Sequence, residues 1–171
     1  MAREAVARYL ETGDVPAFEG EEPELNLRQG CFVTLWKKGK LRGCVGTFET
    51  GRSIGENVLR MAVASASQDT RFPPVTRQEW KEISIEISVL GDLKKIRSIE
   101  EIEIGRHGVH VQSGFRSGTY LPEVAVQQQW SREEFVTYCA REKAGLSPEE
   151  CAEAEVSIYE VEKFSEEPSH G

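Results

Sequence analysis

The sequence predicts an α+β fold: a mainly antiparallel sheet flanked by helices. Two observations carry that expectation. The strand-like segments come as hairpins joined by glycine-containing turns. Between them stand helices whose starts are marked by Ser or Thr followed three residues later by Glu. At 171 residues the chain is expected to be a single domain with room for a proper core.

The elements follow in order. From Ala2 to Glu11, Ala2, Ala5, Val6, Tyr9 and Leu10 fall on one stripe of an amphipathic helix. Thr12 to Gly30 is polar and punctuated by Gly13, Pro16, Gly20 and Pro23, which reads as a long loop. Cys31–Lys37 and Lys40–Phe48 then form a hairpin turning at Lys38-Gly39. A plain two-residue turn sets Val33 opposite Cys44 and Leu35 opposite Arg42, and leaves Phe32, Thr34 and Trp36 to share the other face with Leu41 and Val45. A bulged turn shifts that register. Both faces are substantially apolar, so the hairpin is expected in the middle of a sheet, covered on both sides.

Ser53-x-x-Glu56 opens a helix running to about Ser67, with Ile54, Val58, Met61, Ala62 and Ser65 turned inward. Thr76-x-x-Glu79 and Ser98-x-x-Glu101 begin short turns. Ile83, Ile85, Ile87 and Val89 alternate with polar residues, as a half-buried strand does. His107–Gln112 and Phe115–Leu121 make a second hairpin around Ser113-Gly114. A helix follows from Ser131 to near Gly145, with Phe135, Tyr138 and Cys139 on one face. Ser147, with Pro148 at the first helical position, opens another. Val156–Phe164 supplies a final strand, and Pro168–Gly171 is a frayed end.

Composition narrows the function. Asp and Glu outnumber Lys and Arg 29 to 21, for a formal charge of −8, a poor balance for neutralising phosphates. Nucleic acid is therefore not an expected partner. No apolar run approaches membrane-spanning length, and the first residues lack the apolar core of a signal peptide, so a cytoplasmic protein is expected. The acidic stretches Glu19–Glu24 and Glu149–Glu155 read as solvated faces. Cys31, Cys44, Cys139 and Cys151 form no CxxC pair, and the histidines are His107, His110 and His170. Closely spaced ligand pairs are thus lacking, no metal is expected, and free thiols are. No cofactor is indicated.

Leu41-Arg42-Gly43-Cys44-Val45-Gly46-Thr47-Phe48 carries the chemistry. On a regular strand Arg42 and Cys44 project from one face, and a cation beside a thiol lowers its pKa. Gly43 and Gly46 mark a place where something approaches the backbone closely. Cys44 then reads either as a small packed hydrophobe or as a nucleophile activated by Arg42. Arg42 needs a partner in either case: an internal carboxylate such as Asp69 or Glu86, or an anionic ligand. His107 reads as a hydrogen-bonded core histidine or as a general base. Arg116, after a turn glycine, is a further anion donor or a plain hairpin edge.

Taken together, LRGCVGTF at Leu41–Phe48, QDTRFPPVT at Gln68–Thr76, EISVL at Glu86–Leu90, IGRHGVHV at Ile104–Val111, RSGTYLPEVA at Arg116–Ala125 and WxxEEF at Trp130–Phe135 resemble the AMMECR domain family, over about residues 2–164. The resemblance implies an α+β domain of two unequal lobes with a cleft between them and the cysteine motif near it. It also implies occasional linkage with a Memo-like protein and a radical-SAM protein, and it supplies no accepted reaction. Asp69-Thr70-Arg71-Phe72-Pro73-Pro74 is then a stiff strut, with Phe72 in the core and Asp69 paired to an arginine, or a wall of the cleft. Two functions follow. In the first, Cys44 is a nucleophile with His107 as proton carrier, and Arg42, Gly43, Gly46, Asp69, Arg71 and Arg116 hold a small anionic ligand. In the second, the chain is a non-catalytic module that docks a Memo-like or radical-SAM partner.

Overall fold

The computed structural model describes residues 1–166 and divides the chain into two compact units, residues 1–90 with the chain from Glu162 onward, and residues 91–161. The fold class is α+β as expected, but the strands separate into two four-stranded sheets, one in each unit. The expected frayed end at Pro168–Gly171 lies outside the described residues.

In the first unit, α1 (Ala2–Thr12) ends at Gly13, whose left-handed φ of 80° lets its N–H cap the carbonyl of Tyr9. The long loop contains one short 3₁₀ turn, Pro23–Asn26. Then come β1 (Cys31–Lys37), β2 (Lys40–Thr47), α2 (Ile54–Ser67), the single turn α3 (Arg77–Trp80) and β3 (Ile83–Leu90). The hairpin turn has positive φ at both Lys38 and Gly39, which suits the right-handed twist of the two strands.

The expected register holds only next to the turn. Lys37 faces Lys40 and Trp36 faces Leu41, but Leu35 faces Gly43, Thr34 faces Cys44 and Val33 faces Val45. Arg42 is the extra residue of a β-bulge. One inserted residue moves every later side chain to the opposite face. Cys44 therefore leaves the Val33 face and joins Thr34, while Val45 takes its place against the core.

That core lies between the sheet and the helices. Val33, Leu35, Ile83 and Ile85 pack against Val58 and Ala62 of α2 and Val6 of α1. β1 and β3 pair directly, so β1 is central, and β2 lies at the sheet edge rather than in its middle.

In the second unit, β4 (Lys94–Lys95), β5 (Gly108–Ser113), β6 (Arg116–Tyr120), α4 (Pro122–Gln128), α5 (Arg132–Tyr138), α6 (Pro148–Glu153) and β7 (Glu155–Tyr159) build a sheet of order β4-β7-β5-β6. Phe135, Cys139, Val109, Val111 and Ile158 form its core. After Tyr138 the helix widens into a π-helical stretch, Cys139–Lys143, with the N–H of Ala144 bonded to the carbonyl of Cys139. The expected final strand is two strands: β7 here, and β8 (Val161–Ser165), which joins β3 in the first unit's sheet. α4 was not anticipated, although its Pro122 occupies a first-turn position that favours proline.

The capping signals hold closely. The boxes at Ser53, Ser98, Ser131 and Ser147 are reciprocal in both hydrogen bonds. At Thr76 the hydroxyl accepts from the Glu79 N–H, but the Glu79 carboxylate points elsewhere.

Candidate functional site

The bulge sets the geometry around Cys44. Gly43 faces α2 so closely that a Cβ there would collide with the carbonyl oxygen of Ser65. The same residue of α2 enters the ladder. Ser65 Oγ accepts from the Val45 N–H at 2.9 Å and donates to the Val33 carbonyl at 2.7 Å, touching both members of a β1–β2 pair. Gly46 has the opposite role, since a Cβ there would strike the ring of Phe32. Both glycines thus serve close approach by the protein's own groups.

The outward edge of β2 is closed by the Gln68–Thr76 segment. Asp69 Oδ2 accepts the Cys44 N–H at 2.9 Å, and the Arg71 guanidinium donates to the Cys44 carbonyl at 3.4 Å. Arg71 also grips Asp69, with Nε to Oδ1 at 3.0 Å and a terminal nitrogen to Oδ2 at 2.8 Å. Chiefly through Arg71, and against the penalty of burial, the Asp69 carboxyl is held down at about 2. Edge strands expose unpaired backbone groups, and this pair covers those of Cys44.

Arg42, turned by the bulge, meets Glu79. Its Nε lies 2.7 Å from Glu79 Oε1, one terminal nitrogen 3.1 Å from Oε2, and that nitrogen also donates to the Pro73 carbonyl at 2.8 Å. Lys37 Nζ reaches the same carboxylate at 3.2 Å. Arg42 first and Lys37 second keep the Glu79 carboxyl at about 2 against desolvation. Phe72 lies between two guanidiniums, 5.8 Å from that of Arg42 and 5.5 Å from that of Arg71. It is half-buried; the core anchor of the segment is Val75.

One expectation is corrected here. The carboxylate partner of Arg42 is Glu79, not Asp69 or Glu86. Arg42 gives its guanidinium to Glu79 and Pro73, and the cation that acts on the Cys44 thiol is Arg71. The Cys44 sulfur lies 3.2 Å from Thr34 Oγ1 and is partly buried. Burial pushes its pKa above the ordinary thiol value; Thr34 and Arg71 pull the other way, while the Asp69 and Glu86 charges add to the rise. All four cysteines are free thiols, as expected. Burial pushes Cys31 and Cys139 up to about 12.

His107 and Arg116 belong to the second unit and serve it locally. His107 precedes β5 rather than starting it, and its Nδ1 accepts the Glu103 N–H at 3.0 Å. Arg116 donates to the Gly145 carbonyl at 2.8 Å and pairs with Glu150, tying the hairpin to the start of α6. Among the described residues no group of three or more His, Cys, Asp or Glu is arranged to hold a metal ion, and no helix is long and apolar enough to cross a membrane.

Sequence reasoning missed Glu79, Thr34 and the ladder role of Ser65. Glu79 was visible only as a capping partner, and Ser65 only as an inward position of α2.

The AMMECR1 family model matches residues 1–164. The chain belongs to the AMMECR1 family. It is 38% identical to protein MK0488 of Methanopyrus kandleri, over all of this chain and 87% of that protein. It is 36% identical to protein MJ0810 of Methanocaldococcus jannaschii, over 94% and 83% of the two. The crystal structure of the uncharacterised protein PH0010 from Pyrococcus horikoshii superposes with a TM-score of 0.91 at 34% identity, covering 99% of this chain and 90% of that one.

Proposed function

We propose that this AMMECR1-family chain acts as a non-catalytic binding module that docks a protein partner, and that its cysteine motif is a structural lock within that module. One observation supports the reading above others: the motif's reactive groups are already consumed. Arg42 is held by Glu79 and Pro73, Arg71 by Asp69, and the Cys44 sulfur by Thr34. A thiol attacks as thiolate, and burial of Cys44 favours the neutral form. The partner classes implied by the family resemblance are a Memo-like protein and a radical-SAM protein, met in a reducing cytoplasm. The test uses each partner purified, with wild type and Cys44→Ala. The expected result is equal affinity for both chains toward at least one partner, with iodoacetamide modifying Cys44 no faster than the other thiols near neutral pH. Binding to neither partner, or Cys44 as the fastest-labelled thiol, overturns the proposal.

A second reading keeps a small anionic ligand beside Cys44. It is favoured by the Arg71 side chain, which is 51% exposed next to the Cys44 carbonyl. An anion there competes with Asp69 for the guanidinium. Protection of Cys44 from iodoacetamide by added phosphate, lost in Arg71→Gln, supports this reading; labelling that ignores phosphate removes it.

A further inference from the structure

Three aromatic rings on the second unit take no part in the site around Cys44. Tyr120 ends β6, Trp130 stands between α4 and α5, and Tyr138 ends α5. The Trp130 ring lies 5.5 Å from that of Tyr120 and 4.7 Å from that of Tyr138, between centroids. Tyr120 is also stacked on Phe135, at 6.3 Å and 20°. Phe135 is fully buried, whereas Tyr120, Trp130 and Tyr138 are only half-buried. The three rings therefore form a half-buried shelf backed by Phe135.

The backbone holds this shelf firmly. Gln129 adopts a left-handed φ of 57°, uncommon for a residue with a Cβ, and the Trp130 N–H returns to the Ala125 carbonyl at 2.9 Å. Immediately afterwards, the capping box at Ser131 fixes the start of α5. The indole is thus set by a helix end on one side and a helix start on the other.

Charge is arranged around the rings. The Tyr120 hydroxyl donates to Glu142 at 2.7 Å, and the Lys143 ammonium lies 5.3 Å from the centre of the Tyr120 ring. Both residues come from the π-helical stretch. Aromatic faces attract cations through their quadrupole, and a carboxylate at the rim adds a full negative charge. The protein's own ammonium already uses this chemistry.

We propose that the Tyr120–Trp130–Tyr138 shelf, with Glu142 at its edge, binds a small molecule carrying an alkylated ammonium group, and that Lys143 holds the place on Tyr120 which the ligand's cation takes. Methyl groups on the nitrogen spread over the ring faces, while the charge answers Glu142. Lys143, exposed and on a flexible stem, swings aside. The site lies wholly within the second unit and stands independently of the reading given for Cys44.

The probe is choline chloride, titrated into the full chain while the indole N–H resonance of Trp130 is followed by heteronuclear NMR. Trp36 and Trp80 serve as internal references. The neutral isostere of choline, with tert-butyl in place of trimethylammonium, separates charge from apolar contact, and sodium chloride controls for ionic strength. A saturable shift confined to Trp130 is expected, with the isostere weaker by about threefold or more. Glu142→Gln weakens choline by about the same factor, and Lys143→Met tightens it. Both variants change exposed side chains and leave the ring packing intact. The proposal is overturned if choline gives no saturable shift, if the isostere binds as well as choline, or if neither variant moves the titration.

Discussion

Asp69 closes the edge of the first sheet at Cys44: its Oδ2 takes the backbone N–H of Cys44 at 2.9 Å, and Arg71, ion-paired to Asp69, turns to the carbonyl of the same residue. The glycine-flanked cysteine motif and the downstream RFPPV motif are therefore two halves of one structure. Together they pair the backbone of Cys44 and the guanidiniums of Arg42 and Arg71 with groups of the same unit.

The lock is charge-dependent, and its response to acid has a definite sign. Asp69 and Glu79 are both held near 2 in the folded protein, below their ordinary values of 3.8 and 4.5. A depressed carboxyl contributes stability that is complete above its unfolded pKa and is lost as pH falls toward the folded one. In urea unfolding the contribution of these two carboxylates is expected to be intact above about pH 5 and lost between about 4.5 and 2, beneath a separate decline below neutrality from His110, whose pKa burial lowers. Each carboxylate accounts for roughly 1–2 kcal/mol of that decline after allowing for solvent screening. In Glu79→Gln the acid limb becomes shallower; an unchanged slope contradicts the assignment.

Removing the Ser65 hydroxyl tests the bridged ladder. Ser65→Ala favours the helix slightly but leaves the Val45 N–H and the Val33 carbonyl without their bridge. A loss of about 2 kcal/mol is expected by chemical denaturation. Fast amide exchange at Val45 should accompany it. Wild-type stability in the variant contradicts the assignment of that bridge.

The two motif glycines are predicted to differ. Gly43→Ala drives a methyl into the backbone carbonyl of Ser65, which cannot yield without shifting α2, and is expected to destabilise by about 3 kcal/mol. Gly46→Ala meets the half-buried Phe32 side chain, which yields more readily than a helix carbonyl, and about 1 kcal/mol is expected. Thermal melts of both variants provide the comparison. The reverse order of stability contradicts the packing described.

Arg42 is predicted to act through its fork rather than its charge alone. Arg42→Lys retains a cation but cannot span both oxygens of Glu79 and the Pro73 carbonyl together. It is expected to lose about 1–2 kcal/mol, and Arg42→Ala about 2–3 kcal/mol. If lysine restores full stability, the pair is a simple charge contact.

Local signals in the chain were legible wherever they depended on near neighbours. Ser53, Ser98, Ser131 and Ser147 announce their helices because a cap and its glutamate lie within one turn. The alternation from Ile83 to Val89 announces β3 because side chains on a strand point alternately to its two faces. The division into two sheets was not legible, because Val156–Phe164 reads as one strand, and its break between Tyr159 and Val161 is set by which sheet each half joins.

By itself the sequence determined the α+β class, the family, the hairpin turn and the free thiols, since each is written in spacing or composition that survives without long-range contacts. Tertiary structure alone decided which face Cys44 occupies and which carboxylate Arg42 meets. The reason is the bulge at Arg42. With a side-chain period of two, a single extra residue exchanges Cys44 for Val45 at the core, and it is admitted only where Gly43 lets the carbonyl of Ser65 come close. Such a choice belongs to the packing of α2 on the sheet, and no stretch of neighbouring residues contains it.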